Sequence, residues 1–84
     1  MEIVICAAIK LITGEVIRGH RHVDCFNAAR VRKLELKDRI EGFITSKNRF
    51  VDRKGGWLIQ YYAGIPSANP RGYDKDELYS EDLY

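Results

Sequence analysis

The spacing of hydrophobic and polar positions changes several times along the chain, and each change marks an element. Residues 2–11, EIVICAAIKL, are a β-branched and apolar run, the pattern of a strand covered on both faces. Thr13-Gly14 breaks the run as a turn, Gly14 being able to take a positive φ. Residues 15–26, EVIRGHRHVDCF, read as the returning strand of a hairpin. A two-residue loop sets Leu11 opposite Val16, Ala7 opposite His20 and Ile5 opposite His22. Arg18, His20, His22 and Asp24 then line one face of that strand, and Ile17, Gly19, Arg21 and Val23 the other.

Residues 27–40, NAARVRKLELKDRI, have helical spacing, with Asn27 as N-cap and Ala28, Val31 and Leu34 along one side. EGFITS (41–46) and RFVD (49–52) predict a second hairpin around Lys47-Asn48, with Phe43 and Phe50 as core residues. Asp52 caps a second helix that runs to Tyr62 or Ala63 and stops at Gly64. Within it Leu58 and Tyr62 share one side, and Trp57 and Tyr61 another. Gly55 and Gly56 each cost that helix about 1 kcal/mol against alanine. Residues 65–74 form a loop broken by Pro66 and Pro70. The remainder packs as a helical turn or an extended tail through Leu78, Leu83 and its tyrosines. The order β-β-α-β-β-α-tail predicts an α+β fold. It is a small antiparallel sheet of two hairpins packed against helices, and it forms a single domain over residues 1–84.

Composition narrows the class without fixing a ligand. Hydrophobic residues at 45% and charged residues at 31% are globular values, and a net charge of +2 does not by itself argue for nucleic acid. The charge is unevenly placed: eleven Lys/Arg against seven Asp/Glu up to Arg53, then three against five. Two cysteines make no disulfide framework, and the apolar start carries Glu2 and Lys10 and is too short to span a bilayer. The expectation is a cytoplasmic protein with Cys6 and Cys25 reduced and no membrane contact.

The candidate chemistry centres on GHRH. His20, His22 and Cys25 offer metal-ligand types, but Cys25 falls on the opposite side of the strand and no closely spaced ligand pair accompanies them, so neither metal nor cofactor is expected. Arg18, His20 and His22 on one strand face instead make a row of donors suited to phosphate, with Arg21, Arg49 and Arg53 as further candidates. A charged strand face that simply meets water explains the same pattern, and both readings stay open. The tail carboxylates Glu77, Glu81 and Asp82 are expected to dock on Arg21 or Arg49 of their own fold. Trp57, Tyr61 and Tyr62 at helical spacing suit a core or a subunit interface better than base stacking. Cys25 has histidines nearby but no third, orienting group for nucleophilic catalysis.

Three segments taken together, AAIKLITGEVIRGHRH, GFITSKNRFVDR and the final LYSEDLY, resemble a family of small bacteriophage and prophage proteins. Its pattern joins a G-x-RH strand, a GF-(V/I)-T to RFV-x-R hairpin and an SEDL-(Y/W) end. The chain departs from it at KGGW, where an alanine-rich helix start is expected. The resemblance implies a phage accessory protein made in the bacterial cytoplasm and brings no activity with it. Three functions follow as expectations. The first is a non-enzymatic binding protein, for a nucleotide or other anionic ligand or for a host bacterial protein, with host-defence interference as one such role. The second is a small hydrolase or nuclease with His20 or His22 as base beside Glu81 or Asp82. The third is an assembly protein acting through homo-oligomerisation, which a thin core favours in every case. Enzymatic action is the less expected.

Overall fold

The computed structural model describes residues 1–73 and 76–84; Asp74 and Lys75, where the predicted loop meets the predicted tail, lie outside the described residues. Its elements are β1 (Val4–Lys10), β2 (Val16–Gly19), α1 (His22–Val31), β3 (Ile40–Thr45), β4 (Phe50–Asp52), α2 (Arg53–Ala63) and a 3-10 turn, Ser80–Asp82. The strands form one antiparallel sheet in the order β2-β1-β3-β4, and both helices pack on the same face of it. This is the expected two-hairpin α+β arrangement.

The two hairpins close with the same geometry. The Gly14 N–H donates to Leu11 O and the Leu11 N–H to Glu15 O; the Asn48 N–H donates to Thr45 O and the Thr45 N–H to Arg49 O. In each case three residues form the loop and the third has positive φ, 94° at Gly14 and 59° at Asn48. A type I turn followed by a left-handed residue gives that closure. The first loop is therefore three residues long rather than two, and the register moves by one: Ala7 pairs with Gly19, Ala8 with Arg18 and Ile9 with Ile17. His20 does not face Ala7, nor His22 Ile5.

A larger correction concerns residues 20–26. The second strand ends at Gly19 and the chain turns into a helix at His22, not at Asn27. Asp24, three residues beyond Arg21, accepts the Arg21 N–H at 2.9 Å, closing the first turn. His22, Cys25 and Ala29 then fall on one side and are buried. Helix α1 stops nine residues before Ile40: Lys33 takes φ 58°, donating to Arg30 O while Leu34 donates to Ala29 O. This is a Schellman closure made without glycine. Residues 32–39, predicted helical, are a connecting loop.

The core lies between the sheet and the helices. Ala7, Ile9, Leu11, Ile17, Phe43 and Val51 meet Cys25 and Ala29 of α1, and Leu78 of the tail fills the space beside α2. A bulge between Val4 and Cys6 brings Val4 onto this face; the buried Gln60 of α2 accepts its N–H at 2.9 Å. Phe50 is not in this core. It sits on the opposite face, its ring over Gly42. There Arg18 crosses from β2 to the β3–β4 loop and donates to Asn48 Oδ1, so the helix-free face is closed partly by its own side chains. Helix α2 follows the expectation: Asp52 accepts the Gly55 N–H at 2.8 Å, and Gly64 ends it at φ 71°.

Candidate functional site

The expected donor row depends on an extended chain through Asp24, and the helical start of α1 removes it. The six candidate residues separate into two groups. His22 and Arg53 are held inside the fold and Arg49 is an exposed residue paired with Glu2, whereas Arg18, His20 and Arg21 sit around the outer end of β2.

His22 is 6% exposed and joins three segments. A carbonyl can only accept, so Nε2 carries the proton and donates to Gly42 O at 2.8 Å; Nδ1 then accepts from Ser80 Oγ at 3.3 Å. Its ring meets the Phe43 ring edge-on, centroids 5.1 Å apart. Burial pushes the imidazole below its ordinary 6.5, and Arg53 adds to this, against the Gly42 bond and the charges of Glu41 and Glu81. An unfolded chain therefore takes up this proton more readily than the folded one. Stability from His22 is complete above pH 6.5 and is lost as pH falls through the lower folded value. The expected result is a thermal midpoint that drops between about pH 7 and 5, with a slope that flattens in His22→Asn. An equal slope in the variant would refute the assignment.

Arg49 grips Glu2 through two bonds, Nε to Oε2 at 2.6 Å and Nη2 to Oε1 at 2.8 Å, while the Thr45 hydroxyl donates to the same carboxylate. These bonds lower the Glu2 pKa to about 2, so any loss of stability from Glu2 appears only as pH falls from 4.5 toward that value. Arg53 donates to Glu41 at 2.7 Å and to Leu78 O at 2.9 Å, and its guanidinium lies 4.4 Å from the centre of the Tyr79 ring.

The outer group is tied to the end of the tail. The His20 ring stacks on Tyr84, centroids 3.9 Å apart and 7° from parallel, and the Tyr84 hydroxyl donates to His20 O at 2.7 Å. Arg21 donates to the Tyr84 main-chain oxygen. The tail thus docks on Arg21, but not by the expected carboxylate pairs. Asp82 instead accepts from Ser67 Oγ at 2.5 Å and from the Tyr79 N–H at 2.9 Å. Of the two expected bases, His22 has both ring nitrogens engaged, by Gly42 O and Ser80 Oγ, and the His20 ring is stacked on Tyr84. Cys25 is buried and its thiol is pushed up to about 11 by desolvation, which keeps it protonated and unreactive at neutral pH.

The three motifs therefore meet one another. GHRH supplies His20, Arg21 and His22; the second hairpin supplies Gly42 and Arg53; the tail supplies Leu78, Ser80 and Tyr84. Their convergence is a structural junction that locks the tail across α1, β3 and α2. A feature that sequence reading underused lies on α2. Leu58 is 45% exposed, Tyr61 60% and Tyr62 78%, and Trp57 stacks on Tyr61 with centroids 5.0 Å apart. The signal was present in the alternation of these residues with buried Gly56 and Gln60.

Fold and junction together define a small two-layer α+β protein built around a locked tail. The chain belongs to the phage T4 y16D protein family, whose family model matches residues 3–84. No curated protein and no solved structure matches it. Among the described residues no helix is long and apolar enough to cross a membrane.

Proposed function

We propose that the chain is a non-enzymatic phage accessory protein that acts by docking on protein, with the outward side of α2 as its working surface. One observation carries this reading: Leu58, Tyr61 and Tyr62 face solvent on a helix whose other side is core, with the half-buried Trp57 backing the Tyr61 ring. Tyrosine and tryptophan combine large apolar area with a polar tip, and they are the residue types that dominate binding energy at protein interfaces. Support also comes from the pairing of His22 with Gly42, Arg49 with Glu2 and Arg53 with Glu41, which engages these donors with groups of their own fold.

The test is NMR of isotopically labelled protein, dilute and purified, against the same protein in concentrated host extract. Amide perturbation is expected to concentrate in residues 54–63. Perturbation confined to the β2–α1 junction would overturn the reading in favour of an anionic ligand at Arg18, His20 and Arg21. A parallel thermal-shift series with phosphate and nucleotides separates the same two cases. A ligand at a hundred times its dissociation constant adds about 2.7 kcal/mol. Loss of that shift in Arg18→Ala and Arg21→Ala would identify the anion site.

A further inference from the structure

Resting on the α2 reading, we infer that the partner taken by this surface is a second copy of the chain, with α2 crossing its symmetry mate. A two-fold interface must be self-complementary, offering both projections and the recesses that receive them. The α2 face offers both. Tyr61 and Tyr62 project, their rings 5.5 Å apart and nearly perpendicular. Two grooves flank Leu58. One, of about 270 Å³, is lined by Met1, Ile59, Tyr62, Ala63 and Glu2, whose carboxylate is paired with Arg49; the other, of about 300 Å³, by Lys54, Trp57 and Asp76. Each has room for one tyrosyl ring.

Charge and area agree with this partner. Near a two-fold axis every charge meets its own kind, so a self-pairing face must be uncharged at its centre. Residues 57–63, WLIQYYA, carry no charge. The charges at the grooves are of both signs, Lys54 with Asp76 in one and Glu2 in the other, and Lys54 stands at the end of the helix away from the Tyr61–Tyr62 pair. The exposed parts of Leu58, Tyr61, Tyr62 and Met1 sum to roughly 400–600 Å² on an aromatic-area scale, hence roughly 1,000 Å² for a pair, the lower end for a specific interface. The share contributed by each chain is near a tenth of its 5393 Å² surface. A face of this size gives a reversible dimer rather than an obligate one.

The experiment is sedimentation equilibrium of the full chain over roughly 1–500 μM, with Leu58→Glu, Tyr62→Glu and Leu58→Lys. The wild type is expected to dimerise in the micromolar range, and each glutamate to weaken it at least about tenfold by placing like charges across the axis. Mixing Leu58→Glu with Leu58→Lys restores a mixed dimer. Circular dichroism establishes that the variants fold, and Tyr62→Glu, at the more exposed position, serves if Leu58→Glu does not. Trp57, the single tryptophan, reports the same transition by fluorescence. A chain that stays monomeric throughout, or a dimer indifferent to both glutamates, overturns the inference. If the chain is monomeric yet α2 amides still shift in host extract, the second copy is excluded and the docking reading stands. If α2 does not shift either, both fall.

Discussion

Replacing Gly42 by alanine is expected to remove at least about 3 kcal/mol of stability, a large share of the roughly 4–13 kcal/mol typical for 84 residues. Gly42 pairs with Ala8 on one side and Asp52 on the other. A Cβ there would overlap the Val51 carbonyl oxygen and stand 3.0 Å from Asp52 Cα and 2.7 Å from the Phe50 ring. The ring can swing aside. The β4 backbone cannot move without opening the ladder, and α2 starts one residue after it. The Gly42 carbonyl also accepts the hydrogen bond from His22 Nε2–H, so a displaced β3 loosens the tail junction as well. Urea unfolding of Gly42→Ala measures the loss; a change below about 1 kcal/mol would mean that β4 shifts freely and the contact is unimportant.

The second large effect is expected from Leu78→Ala, at about 2–5 kcal/mol. Leu78 is fully buried, its Cδ2 within 3.1 Å of where a side chain on Gly56 would begin, and its N–H donates to Arg53 O at 2.9 Å. Truncation leaves a cavity beneath the residue that anchors the tail. The His20 ring resonances should then lose the shift imposed by stacking on Tyr84, which a purely local cavity would leave in place. Gly56→Ala in the Leu78→Ala background is expected to regain about 1 kcal/mol by filling part of the void and favouring the helix. In the wild type the same methyl meets Phe43 and Leu78 at 3.0 and 3.1 Å and has no such room. Additive losses in the double variant would count against a shared cavity.

Much of this fold is legible in residue spacing, and its failures have identifiable causes. Both hairpins, the Asp52 cap and the Gly64 stop follow from local chemistry that tertiary packing did not override. The β2–α1 boundary did not. VIRGHRHV alternates well enough to continue a strand, and the helix it enters has arginine at the N-cap, so the usual Ser, Thr or Asn marker is absent. The informative pattern was Asp24 three residues after Arg21, with Cys25 and Ala29 four apart behind it. The end of α1 was hidden for a related reason, because Lys33 occupies a left-handed position that glycine ordinarily announces. The geometry of the donor row was misread as a consequence. Once His22 enters a helix its imidazole turns into the protein, and the supposed ligand donors become ties between distant segments. Gly56 shows the complementary lesson: a residue charged against helix stability is required by the close approach of Phe43 and Leu78.

The tail junction also bears on how the chain is made. On the ribosome, Phe43 and Gly56 emerge more than twenty residues before Leu78, and His22 nearly sixty before Ser80. Until that last stretch is synthesised the sheet and helices exist with one wall of the interior open to water. Nascent chains are therefore exposed to aggregation and proteolysis until residues 78–84 have been made, and a stop near residue 77 would yield a chain that forms its hairpins yet cannot close.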